Sequence, residues 1–282
     1  MVEDGTLATS ISSEEIVSRT PSVMVNAKAT SISQSWTSSS NLARSMPGDT
    51  LDDVDPYSGI SNRLLLLIND ILGLRQESQM HSTALGDKVA LATVQTKAQH
   101  MKSLLVALHQ RLPEWILITD SSLAKNLQQT ADAYQLAALI LLDESFPSAS
   151  TSKNADSQGL VSEADEKAKY IKDVLALVEK TLSHSEVTIS WPLWPLFIAG
   201  CSCTDDEDKI SVLELFDTAK RKSNLTVRTH LPLEYSLIML NCLQNIAPAL
   251  EIVQAVWAQR ELAADEEVCA RTLRRRRQQS RQ

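Results

Sequence analysis

The chain has 282 residues, of which 43% are apolar and 22% charged, enough for one large domain or two small ones with a proper core. Only seven Gly and nine Pro occur, about 6% of the chain where about 12% is usual. This scarcity of turn residues argues against sandwiches and barrels, and no two Gly are placed for a phosphate-cradling loop. The net charge is −8, and the six Arg between Arg271 and Arg281 leave the rest at −14. An acidic body repels phosphate backbones, so any contact with nucleic acid is expected from the tail.

Four Cys (Cys201, Cys203, Cys242 and Cys269) make no disulfide framework. The first residues carry no signal-peptide pattern, so a reducing compartment is expected and the sequon at Asn224 idle. The longest apolar runs, such as Leu136 to Leu142, fall far short of the roughly 20 residues of a membrane span.

Residues 1–51 read as a disordered arm rich in Ser and Thr, with too few apolar side chains to offset the entropy of ordering. It serves either as a solvated tether or as a phosphorylatable arm. A helical domain is expected over 52–268. Asp55-Pro56 has the chemistry of a helix start, with Ile60, Leu64, Leu67, Ile68, Ile71 and Leu72 following at helical spacing. A second helix is predicted over 87–112, carrying Val94, Ala98, Met101, Leu105, Leu108 and Leu112 and ended by Pro113. Leu123, Leu127, Ala131, Tyr134, Ala138 and Leu142 mark a third, apolar nearly all round over its second half and therefore central.

A Ser-rich loop over 146–159 precedes a capping box at Ser162 and Asp165, and a helix with Ala168, Ile171, Leu175, Val178 and Leu182 inward. Trp191-Pro192-Leu193-Trp194-Pro195-Leu196-Phe197 is too apolar for a free loop and reads as buried backbone opening into a short helix that ends near Cys201. Thr204 is expected to cap the next helix, with acidic residues in its first turn and Ile210, Leu213 and Phe216 inward. Pro232 and Pro248 open two more, the last with Ile252, Val253, Val256 and Trp257. No alternating apolar run appears. The reading is all-α: a single irregular helical domain of about eight helices, with no internal repeat, between the arm and a basic tail over 269–282.

Metalloprotease, nucleophile-elbow and C-x-x-C patterns are missing, and the five His show no i,i+4 pair. Neither Cys201-Ser202-Cys203 nor the acidic run from Asp205 to Asp208 has the ligand spacing of a zinc or calcium site, and a helix end with a helix start explains both. No metal, no cofactor and no catalysis are expected. Trp191, Trp194, Phe197 and Trp257 form either an apolar ligand pocket or core packing. The compact run Arg274, Arg275, Arg276, Arg277 has the composition of a nuclear-import signal and too few apolar partners for specific DNA reading.

Several of these strings resemble the fungal-specific transcription factor domain, the regulatory region of fungal zinc-cluster transcription factors. Asp55-Pro56-Tyr57-Ser58-Gly59-Ile60-Ser61-Asn62-Arg63-Leu64 is similar to its opening. Ala133-Tyr134-Gln135-Leu136-Ala137-Ala138-Leu139 is similar to its central helix. Ala249-Leu250-Glu251-Ile252-Val253-Gln254-Ala255-Val256-Trp257 is similar to its closing segment. The most specific string is Trp194-Pro195-Leu196-Phe197-Ile198-Ala199-Gly200-Cys201. The resemblance covers residues 52 to 262 in the family's order. It implies a nuclear regulator acting through co-regulator proteins, self-association or an apolar effector of xenobiotic or sterol-like type, without membrane contact. Relatives carry a zinc cluster upstream. No Cys precedes Cys201 here, which implies that the DNA-reading module lies elsewhere and any DNA contact is indirect. A small-molecule sensing module and a truncated, non-functional regulator are the alternatives.

Overall fold

The computed structural model describes residues 51–83, 88–147, 163–184, 191–226 and 245–266. These are helical almost throughout. A two-residue strand β1 (Val54–Asp55) pairs antiparallel with β2 (Ile60–Ser61), Val54 facing Ser61 and Asp55 facing Ile60. Eight helices follow among the described residues: α1 (Asn62–Thr83), α2 (Lys88–Ala107), α3 (Glu114–Thr119), α4 (Ser121–Ser145), α5 (Glu163–His184), α6 (Leu193–Ser202), α7 (Asp206–Thr226) and α8 over 245–266. The all-α architecture is as the patterning predicts. None of these helices is long and apolar enough to cross a membrane.

The first helix does not open at Asp55-Pro56. The Asp55 carboxylate instead accepts from the backbone N–H of Tyr57 (3.5 Å) and Ser58 (2.9 Å), and its carbonyl accepts from Gly59 N–H. Gly59 closes the turn at φ 72°, a conformation costly for any residue with a Cβ. The helix starts at Asn62, beyond the hairpin, where Ser61 Oγ accepts from Leu64 N–H. The hairpin is stitched to the chain after α2, because Val54 N–H donates to Arg111 and Arg111 N–H donates to Asp52. Gln110 is buried beneath it, accepting from Ser61 N–H (3.0 Å) and donating to the Ala131 carbonyl (2.7 Å).

α2 ends at Ala107, five residues before the expected limit. The side-chain amide of Gln135 on α4 donates to the carbonyls of Leu105 and Leu108, so the helix end is satisfied from outside. The freed segment then pairs with the hairpin. α3 was not foreseen, and Asp120 separates it from α4 by capping Ser122 and Leu123 N–H at 2.8 and 3.0 Å.

α4 is central, as its apolar surround predicts. It packs against α1, α2, α3, α5 and α6 and buries 13 of its side chains. One core cluster joins α1, α2 and α4 around Leu64, Ile71, Leu105 and Leu142. A second joins Ile140 of α4 to α5, α6, α7 and α8 around Val174, Leu196, Phe216 and Val253. Leu136, Tyr170 and Ile198 pack against both. A small third cluster of Val54, Ile116, Ala124, Leu127 and Ala131 lies under the hairpin and α3.

Two expected inward positions on α7 are corrected. Ile210 and Leu213 are exposed (58% and 37%), and the buried set is Val212, Leu215, Phe216 and Ala219. That set has the i, i+3, i+4, i+7 spacing of one helix face, whereas repeated steps of three through 210, 213 and 216 drift round the helix and only reach that face at Phe216. Thr204 is exposed, and the carbonyl of Asp205 accepts the first bond of α7. Ala168 on α5 is also exposed. The capping box at Ser162 and the helix expected after Pro232 lie outside the described residues.

One polar clip ties α2 to α4 and α5. Lys102 Nζ lies 2.9 Å from Glu166 and 3.5 Å from Asp143, and Tyr170 Oη donates to Glu166 at 2.6 Å. The Tyr170 hydroxyl and the Lys102 ammonium hold the Glu166 carboxyl below its usual range. Burial opposes the Lys102 charge, but Glu166 and Asp143 outweigh it and its pKa rises.

Phe216→Ala, at a site only 1% exposed, should cost about 3–5 kcal/mol in urea unfolding. Ile210→Ala should cost at least about 2 kcal/mol less. The Glu166 contribution is present above the ordinary carboxyl pKa and is lost as pH falls through the lowered one. Glu166 is 41% exposed, so Glu166→Gln should cost at most about 1 kcal/mol near neutrality, and that difference should vanish in strong acid.

Candidate functional site

α6 carries the most specific string of the sequence. Leu193 N–H donates to the Trp191 carbonyl, and Leu196 N–H to that of Pro192. Pro195 is the third helical residue, a position whose N–H has no partner within the helix, so both prolines are tolerated. The short helix is a wedge between the two main clusters. Trp194 and Ile198 reach the α1–α2–α4 cluster, and Leu196 and Ala199 belong to the other. Trp194 stacks on Tyr134 of α4, with ring centres 5.5 Å apart and planes 9° from parallel.

Gly200 is where three helices meet. A Cβ there would lie 3.1 Å from Val212 of α7 and 3.3 Å from Val253 of α8. Its carbonyl accepts from the indole Nε1–H of Trp257 at 2.8 Å and from Cys203 N–H at 3.3 Å. Lys209 Nζ covers the Trp257 ring at 5.9 Å and pairs with Asp206 and Glu261 at 3.0 and 3.1 Å. The hydrogen bonds that its ammonium donates to both carboxylates raise its pKa.

The four singled-out aromatics thus divide. Trp191, Phe197 and Trp257 pack on the α5–α8 cluster, and Trp194 on the other. Trp257 is buried and its donor occupied, whereas the buried Trp191 Nε1–H has no partner among the described residues. Arg274, Arg275, Arg276 and Arg277 lie outside the described residues. Cys201 and Cys203 carry free thiols, pushed up to about 12 by burial. Among the described residues no group of three or more His, Cys, Asp or Glu could hold a metal ion.

Two grooves lie elsewhere. One of about 530 Å³ runs between α2, α4 and α5, floored by Leu136, Leu139 and Leu177 and edged by Asp132 and Asp173. Burial raises the Asp132 carboxyl, and the Gln128 amide partly offsets this. The other, about 370 Å³, separates α5 from α7 and is polar, with Lys172, Glu179, Asp208 and Glu214 on its walls. None of the four aromatics lines either groove.

Tyr134, Gly200 and Lys209 complete this site; the sequence marks Tyr134 only as an inward helix position and Gly200 only as part of a family string, and gives no signal for Lys209. A glycine inside an apolar helix is the one local signal of close approach among them. Gly200→Val should cost about 1–3 kcal/mol, because its methyls enter space already filled by Val212 and Val253. Gly200→Ala should stay within about 1 kcal/mol of wild type, helix propensity offsetting the crowding. Trp257→Phe should cost about 1 kcal/mol beyond its lost volume, since Gly200 keeps a second donor. Urea midpoints of the variants check all of these.

No curated protein and no solved structure matches the chain significantly. The family model described as the fungal specific transcription factor domain matches residues 10–271. That match is wider than the similarity visible in the strings, reaching into the Ser-rich arm and past α8. It spans the wedge, the close approach at Gly200 and the tryptophan that seals it. The chain therefore belongs to the fungal-specific transcription factor domain family, a family of transcription regulators.

Proposed function

We propose that the chain is a nuclear, non-catalytic transcription regulator whose helical body works by binding co-regulator proteins or a second copy, with DNA specificity supplied elsewhere. The observation that carries this reading is the family match over 10–271. The acidic body supports it, since a net −14 outside the basic tail disfavours direct contact with DNA. The run Arg274 to Arg277 serves as the import signal.

A second reading, effector sensing, is favoured by Trp191. Its buried Nε1–H has no acceptor among the described residues, and such a donor costs free energy until something accepts from it. A largely apolar ligand with one acceptor, of sterol or xenobiotic type, would match that edge.

Two experiments separate these readings. Tethered to a heterologous DNA-binding module, the chain should change expression of a reporter, and an unchanged reporter rejects the regulatory role. In the same cells, Arg274→Gln through Arg277→Gln together should move a bulky tagged chain from nucleus to cytoplasm. For the second reading, a true effector at 100 times its dissociation constant should add about 2.7 kcal/mol of stability. Trp191→Phe should weaken that gain, and a flat thermal shift across sterols and xenobiotics rejects the sensor.

A further inference from the structure

α7 and α8 lie side by side in opposite directions. Val212 and Val253 meet across Gly200, while Lys209 reaches Trp257 and then Glu261. The first turn of α7 therefore adjoins the last described turns of α8. This end of the molecule is acidic: Asp205, Asp206 and Glu207 are exposed on one side, and Glu261, Asp265 and Glu266 on the other. The nearby cations are engaged, Lys209 with Asp206 and Glu261, and Arg260 with Glu144. The same turns of the two helices also carry three large apolar side chains, Ile210, Leu213 and Leu262, exposed by 58%, 37% and 66%. Exposed apolar groups beside charges of one sign fit a segment that is apolar and oppositely charged.

Such a segment follows in the same chain. Val268 and Leu273 alternate with Arg271 and the run from Arg274 to Arg277. We infer that residues 268–277 dock in cis on this α7–α8 face, their guanidinium groups on its carboxylates and their apolar side chains on Ile210, Leu213 and Leu262. The tether suffices. The segment starts two residues after Glu266 and the Arg run eight, and each extended residue spans about 3.3–3.6 Å, so the face is in reach. A short tether also gives an effective concentration near the millimolar range, which outcompetes a second copy at micromolar protein. Guanidinium–carboxylate pairs add charge-assisted, two-pronged hydrogen bonds that salt weakens. The docking does not depend on what the Arg run does when it is free.

The test is amide hydrogen exchange on the full chain at low salt. Peptides covering 206–213 and 258–266 should exchange about fivefold or more slowly in wild type than in the Arg274→Gln to Arg277→Gln variant. High salt should remove that protection. The variant Glu207→Gln, Asp265→Asn, Glu266→Gln changes only exposed side chains, so it should keep its helical circular dichroism while losing the protection. It should also release the tail to faster trypsin cleavage. Equal exchange in wild type and the Arg variant overturns the docking. Protection that fades on dilution overturns it as well, because the occupant is then a second copy.

Discussion

Everything in this fold depends on α6 being packed on two sides at once. A ten-residue helix has too little surface to be stable alone, and its mostly apolar sequence would be costly in water. Both problems are solved by lodging it between two core clusters. The stack of Trp194 on Tyr134 ties it to the central helix, and the approach at Gly200 ties it to α7 and α8. Because Leu136, Tyr170 and Ile198 belong to both clusters, disturbance on one side reaches the other through packed side chains rather than through a flexible linker.

The family's most specific string is explained by these contacts. Five of its eight residues show how: Trp194 stacks, Pro195 uses a position without a hydrogen bond, Leu196 and Ala199 fill the core, and Gly200 admits two valines and gives its carbonyl to Trp257. The polar clip of Lys102, Asp143, Glu166 and Tyr170 has a similar part, fixing α2 to α4 and α5 beside the groove between them.

What the sequence made legible was what depends on one helix at a time. The centrality of α4 was visible because its second half is apolar nearly all round. The burial of Ile171, Leu175, Val178 and Leu182 was visible because they share one face. What stayed hidden depends on partners far along the chain. The end of α2 is set by Gln135, and the hairpin by Gln110, Arg111 and a glycine of positive φ. At Asp55 a carboxylate followed by proline fits a helix start and a tight turn equally well, and only Gly59 distinguishes them. On α7 the outward Ile210 and Leu213 mimic an inward stripe, because a helix bearing apolar residues on two faces offers two phases. For the site, Trp191, Trp194, Phe197 and Trp257 were found from composition, while their division between two clusters was not, since it follows from the crossing of helices.

The two cysteines beside the wedge carry a consequence for how this molecule meets its chemical surroundings. Burial holds both thiols near a pKa of 12, so at neutral pH only about one in 10⁵ is ionised. Peroxide and soft electrophiles react with the ionised sulfur. This helix end is therefore slow to react with oxidants and electrophiles.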